Sequence, residues 1–289
     1  MTATATAAST ATRPAATAPA VIALDRIVQE FPRPEGGTHR VIDDLSLRFT
    51  GPSINMLLGP SGCGKSTLLY MMGGVRPHDQ VMPTSGTITI DGKPCTDAHD
   101  DAVMVFQRYA NRPDLTVYDN VAFPFRLGLW RDRVPAAQRD GLVMHMLESV
   151  GLADKARLRP SQLSGGQNQR IALARALMLK PRILLMDEPF GALDAQTREE
   201  MQKLLVKLYQ EHPCLIVFVT HDVTEALLLG DRVVVLSTQP ARVADDFEIA
   251  APKPRDGGWL RMPEAATLEQ RILSRLHQAA GKGNMRVTI

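Results

Sequence analysis

Cysteine, net charge and long apolar runs are what this 289-residue sequence has least of, and each shortage removes a class of function. Three cysteines, Cys63, Cys95 and Cys214, are too few and too widely spaced for a disulfide framework or a CxxC metal site. They fit a reducing compartment. A net charge of +2 gives no field of the kind that draws a protein to nucleic acid, so no nucleic-acid partner is expected. No stretch approaches the roughly 18 apolar residues needed to cross a bilayer, so the chain is not expected to form a channel or permease alone. The opening MTATATAASTATRPAATAPA has no apolar segment of the signal-peptide type. Its Ser, Thr and Arg content without acids is shared with transit peptides; the plainer expectation is a disordered tail over residues 1–20.

What is present is ordinary for a globular domain: 44% hydrophobic and 22% charged residues. Order is expected from Val21. Segments 21–30 and 40–50 read as edge strands joined by a hairpin at Pro32, Pro34 and Gly36-Gly37. SINMLL (53–58) reads as a buried strand, followed by a helix over 65–72 that Gly73-Gly74 stops. Further strands are expected at 86–91, 102–106, 182–187, 214–220 and 232–237, and helices at 164–179, 195–210 and 223–229. Residues 114–160 read as a helical insertion, with three arginines around Trp130. Strands alternating with helices imply a parallel sheet covered on both faces. After residue 240 the pattern weakens, and the amphipathic stretch Leu268, Ile272, Leu276 reads as a peripheral tail. No internal repeat is visible, so a single nucleotide-binding unit is expected.

Residues 59–67, GPSGCGKST, match G-x-x-x-x-G-K-[ST] between an apolar strand and a helix. A triphosphate needs many donors at close range. Gly59, Gly62 and Gly64 let the backbone around Pro60, Ser61 and Cys63 turn its N–H groups inward. The following helix, with Thr67 in its first turn, adds its positive end. Lys65 brings a compact cation to the outer phosphates, and the Ser66 hydroxyl is placed to ligate Mg2+. Cys63 is expected to fit the loop rather than act as a redox switch.

ILLMDEP (183–189) is a buried strand that ends in two carboxylates, where open α/β sheets bind ligands. Asp187 suits Mg2+, and the adjacent Glu188 suits a general base acting on water. His221 follows another apolar strand, CLIVFVT, and is placed to reach the same crevice. Asp222 and Glu225 behind it cap a new helix.

A second anion-binding turn, LSGGQ at 163–167, opens a helix about a hundred residues after the first. With it, residues 21–240 resemble the ATP-binding cassette family throughout: GPSGCGKST, Gln107 after VMVFQ, LSGGQ, ILLMDEP, GALD at 191–194, then His221. The resemblance implies an α/β fold of the P-loop NTPase kind. It would have a RecA-like, mostly parallel sheet core, an antiparallel β-subdomain and a helical subdomain at about 108–165, with 241–289 as a C-terminal extension.

It also implies a homodimer that sandwiches two ATP molecules head to tail. Ser164, Gly165, Gly166 and Gln167 would meet the γ-phosphate held on the other copy's loop. Asp194 would lie at the dimer seam, Gln107 would touch Mg2+ and the attacking water, and His221 would contact the γ-phosphate. Phe31, upstream of the loop, would stack on adenine. MDEPFGALDAQTR and VTHDVTEALLLGDRVVVLS look like the importer branch handling nitrate, sulfonates and taurine. Such a subunit works at the cytoplasmic face of the cell membrane, with permease subunits and a periplasmic or extracellular solute-binding protein. The alternative in the same family is an exporter or lipid-transport ATPase. Two features depart from the resemblance: a short insertion at 76–83, and Asn111-Arg112 where relatives usually carry apolar residues facing the permease.

Overall fold

The computed structural model describes residues 18–76, 82–107, 110–127, 134–238 and 240–279. Residues 1–17 of the expected N-terminal tail, most of the 76–83 insertion, and Arg131 and Arg133 beside Trp130 lie outside them; Arg126, the third arginine there, is described and pairs with Asp119 at 2.6 Å.

The apolar runs become a six-stranded sheet in the order β10-β9-β3-β8-β7-β6. Its strands are β3 (Ser53–Leu58), β6 (Ala102–Val105), β7 (Ile183–Asp187), β8 (Leu215–Val219), β9 (Arg232–Leu236) and β10 (Val243–Glu248). All neighbours pair parallel except β9 and β10. ILLMD and LIVFV are buried at every residue, as strands covered on both faces must be. Successive side chains alternate between two cores. On one face Ile54, Met56, Leu184 and Phe218 meet α3 (Ala136–Ser149), α4 (Gly165–Leu177), α5 (Ala195–Glu211) and α6 (Val223–Leu229). On the other, Leu57, Leu185 and Val217 meet α1 (Lys65–Met72) and the antiparallel sheet β2-β1-β4-β5. In that sheet β1 is Val21–Pro32, β2 Thr38–Thr50, β4 Ser85–Ile90 and β5 Lys93–Pro94. Between β6 and α4 lie α2 (Val117–Ala122), α3 and short 3-10 turns, the helical insertion read from sequence.

The segment past residue 240 is more integrated than its weak pattern suggests. β10 closes the edge of the main sheet. Its inward Asp245 accepts from Arg271 at 2.7 Å and from Arg275 at 3.1 Å, both on α8 (Pro263–Ala279), which follows the short α7 (Gly257–Leu260). α8 packs on α6 and β9, with Ile272 fully buried. Arg255 fastens the same segment from beneath. Arg255 is 8% exposed, and its guanidinium donates to the carbonyls of Leu227 (2.7 Å) and Gly230 (2.6 Å) at the end of α6. A cation at a helix C-terminus is stabilising. Ile272→Ala is expected to cost about 2–5 kcal/mol in urea unfolding; an unchanged midpoint would show that α8 does not pack this core.

Candidate active site

The chain leaves β3 at Leu58 and re-enters regular structure at Lys65. Gly62 and Gly64 take φ of 74° and 101°, the left-handed region that favours glycine. Gly64 is doubly constrained, because a Cβ there would sit 2.8 Å from Val41 Cγ1 of β2. No side chain caps α1, so its first amides stay available to a ligand. Ser61 and Gly62 form the exposed tip, Gly59 and Cys63 are buried below it, and Pro60, Ser66 and Thr67 are half-buried. Burial pushes the Cys63 thiol up, against the opposing pull of Lys65, which fits a packed residue and not a reactive one.

Lys65 is 5% exposed, and its Nζ donates to the carbonyls of Gly59 (2.8 Å) and Pro60 (3.0 Å). A buried ammonium held by carbonyls alone is poised to exchange them for phosphate oxygens. Gly64→Ala is expected to weaken nucleotide binding at least about tenfold, through φ strain and the Val41 clash; unchanged fluorescent-nucleotide affinity would contradict this.

Asp187 ends β7 beside the loop, 5% exposed, and accepts from Ser66 Oγ at 2.8 Å. Burial raises its carboxyl above the ordinary range; hydrogen bonds from Ser66 and Tyr70 oppose that rise. Tyr70 was not singled out by sequence, although it lies four residues past Ser66 on the same face of α1. A desolvated carboxylate beside a hydroxyl favours a cation. Among the described residues no group of three or more His, Cys, Asp or Glu could cage a metal. One carboxylate and one hydroxyl suit Mg2+, which keeps waters and takes phosphate oxygens for the rest of its shell.

Glu188 follows with φ 42°, a left-handed conformation for a non-glycine residue. Its N–H bonds Val219 O at 3.0 Å, so pairing with β8 holds the turn. The side chain reaches His221, with Oε2 3.1 Å from Nδ1. A Cβ on Gly191 would lie 3.7 Å from Glu188 Oε2 and 3.9 Å from Gln107 Nε2, so Gln107 and Glu188 flank the same point. The ends of β3, β6, β7 and β8 thus bring together Lys65, Ser66, Gln107, Asp187, Glu188 and His221.

The 164–167 turn stands apart. Ser164 caps α4 by accepting from Gln167 N at 3.3 Å, and Gln167 Oε1 accepts from Ser164 N at 3.1 Å. Asp194 caps α5 through Thr197 N at 3.0 Å and Thr197 Oγ1 at 2.8 Å. Those bonds hold the Asp194 carboxyl below its ordinary range. Gly166 packs so tightly that a Cβ would sit 2.3 Å from Thr197 Cγ2, which joins the two caps into one surface. Ser164, Gly165 and Asp194 are exposed. Among the described residues no hydrogen bond joins this turn to the 59–67 loop. Phe31 is half-buried at the end of β1, opposite His39, two residues from the Val41 that abuts the loop.

The model of the ABC transporter family matches residues 42–191, more than half of the chain. The chain belongs to the ABC transporter family. The cassette is 42% identical over 235 residues to the nitrate import ATP-binding protein NrtC of Synechocystis sp., a match covering 81% of this chain and 34% of that relative. It therefore spans about a third of that protein's length. The nitrate import ATP-binding protein NrtD of Synechococcus elongatus is 39% identical, with 81% of this chain and 82% of the relative covered. The aliphatic sulfonates import ATP-binding protein SsuB of Pseudomonas fluorescens is 40% identical, with 85% and 84% covered. Among solved structures, a dimeric ATP-binding cassette in a post-hydrolysis state bound to ADP and Pi superposes with a TM-score of 0.68 at 31% identity. That match covers 80% of this chain and all of the other. The two-sheet architecture with its helical insertion is thus the fold of an ABC ATPase.

Proposed function

We propose that this cassette is the ATP-hydrolysing subunit of an importer for a small anion, working as a homodimer beneath a separate permease. The observation that carries the reading is the division of the site. Lys65, Asp187, Glu188 and His221 converge on one loop, while Ser164 and Gly165 of a second anion turn are exposed and share no hydrogen bond with that loop among the described residues. A head-to-tail dimer gives that turn its ligand, the γ-phosphate on the other copy's loop.

The loop amides and the α1 end cradle the phosphates of ATP, and the Lys65 ammonium moves from the Gly59 and Pro60 carbonyls to the outer phosphate oxygens. Ser66 and Asp187, with Gln107, would hold Mg2+, which supplies charge neutralisation on the phosphates. Glu188 accepts a proton from the attacking water as its oxygen bonds to the γ-phosphorus and the bond to the bridging oxygen breaks, leaving ADP and phosphate. His221 steadies Glu188 and contacts the γ-phosphate, and Phe31 stacks on adenine.

The named functions of the relatives, nitrate and aliphatic sulfonate import, support the substrate class. No helix among the described residues is long and apolar enough to cross a membrane. The pathway is therefore assigned to permease subunits, with a solute-binding protein delivering the anion from outside and the cassettes on the cytoplasmic face. A groove of about 230 Å³ lined by Phe106, Ala110, Phe123, Leu127 and Arg175 suits a helix of the permease, and Leu127 is 45% exposed there. In vesicles reconstituted with the permease that co-purifies with it, ATP should drive nitrate or alkanesulfonate uptake; export, or no response to any small anion, would contradict the reading.

A further inference from the structure

The residues just past Gln107 are fixed to the Ser164 helix by side chains whose bonding the catalytic reading does not use. Asn111 Nδ2 donates to Asn168 O at 2.8 Å and to Asn168 Oδ1 at 3.2 Å. Asn168 lies on α4 and is 9% exposed. Its own Nδ2 reaches back to the carbonyls of Pro160 (2.9 Å), Leu163 (3.3 Å) and Ser164 (3.1 Å). One asparagine therefore shapes the turn that presents Ser164 and also receives the strap from the Gln107 side. Arg175 Nη1, two turns along α4, holds Ala110 O at 2.6 Å. On the far side fully buried Asn120 brackets Arg112, accepting from its N–H at 2.8 Å and donating to its carbonyl at 3.0 Å.

The cluster is not fully satisfied. Asn111 Oδ1 is buried without a hydrogen-bond partner among the described residues. Unpaired buried polar atoms are costly, so an alternative packing that pairs them gains what this one lacks. An alternative packing that pairs Asn111 Oδ1 would give this segment the second state that energetic coupling between distant sites requires.

Gln107 faces the ATP of its own chain, whereas the Ser164 turn faces the ATP of the other copy. We propose that the Asn111–Asn168 bridge is a positioning link between the two nucleotide sites, carrying the state of the site that Gln107 faces to the Ser164 turn the same chain offers to the other. The link rests on the composite-site reading above. It makes the two ATPs cooperative: occupancy on one side sets the angle at which α4 meets the phosphate on the other. Arg175 and Asn120 hold Ala110 and Arg112 on either side of Asn111, which fixes the position from which Asn111 reaches Asn168.

The test is steady-state ATP hydrolysis by the full chain across a range of ATP concentrations. Wild type is expected to show a Hill coefficient above 1, toward the limit of about 2 set by two sites. Asn111→Ala should bring it to about 1 and lower kcat about three- to tenfold, the range expected for one lost hydrogen bond. Fluorescent-nucleotide affinity for the Lys65 loop should be unchanged. Asn111→Asp, which fills the same space and cannot donate to the Asn168 oxygens, should match Asn111→Ala; a role in packing alone would leave it like wild type. The Asn111→Ala/Asn168→Ala double variant should be no worse than the weaker single. Hyperbolic wild-type kinetics, retention of cooperativity in Asn111→Ala, a wild-type-like Asn111→Asp, or multiplying losses in the double variant would each overturn the bridge. A wild type that hydrolyses no ATP would instead overturn the ATPase reading and take the bridge with it.

Discussion

Glu188→Gln is expected to lower ATP turnover by about 10²- to 10⁴-fold, the range that a general base contributes, while ATP still binds. The substitution keeps the shape of the side chain and its hydrogen bond to His221, whose Nδ1 lies 3.1 Å from Oε2. The amide has no basic oxygen to take a proton from water, so chemistry is lost selectively. The loop contacts that bind the phosphates, through Lys65, Ser66 and the α1 amides, do not involve Glu188. The variant should therefore accumulate with ATP bound. Loss of affinity together with turnover would mean that Glu188 shapes the site, and wild-type turnover would remove it from the chemistry.

Lys65→Ala is expected to reduce kcat/KM for ATP by at least about 10²-fold, the scale for removing one preorganised charge from a phosphoryl-transfer site. The argument is electrostatic. Lys65 is 5% exposed and its ammonium makes its hydrogen bonds to carbonyl oxygens, so it enters the complex already largely desolvated. Its attraction to phosphate is then little screened. Lys65→Arg should also fail, because a planar fork does not fit where a point charge on a slim stem does. Circular dichroism should be unaltered in both variants. Near-normal kinetics for Lys65→Ala would show that the loop amides alone hold the triphosphate.

Much of this was legible in the sequence because the relevant signals are local. LIVFV is apolar throughout, ILLMD until its final Asp187, and SINMLL except at Ser53 and Asn55, as short strands covered on both faces are, and each stops at a turn carrying polar or glycine residues. Lys65, Ser66, Asp187 and Glu188 stand at those stops, so finding the strands also found the site. What escaped was non-local. β10 carries Asp245 at an inward position where an apolar residue is expected, and the carboxylate is tolerated because Arg271 and Arg275 arrive from α8. Arg255 reads as a surface residue in sequence but is buried under carbonyls from two segments. The Asn111–Asn168 contact joins residues 57 apart and leaves no periodic trace. Asn111 did stand out as a departure from the resembling family, and its side chain turns inward to α4.

The central claim is that one catalytic site needs two chains, since Ser164 and Gly165 are exposed and, among the described residues, make no hydrogen bond to the loop of their own chain. Sedimentation velocity of Glu188→Gln with MgATP tests it most directly. The expected result is a dimer with ATP, a monomer with ADP, and a monomer with ATP once Ser164→Arg is added to block the outward turn. A chain that stays monomeric with ATP at every concentration, or that dimerises equally well with Ser164→Arg, would contradict it.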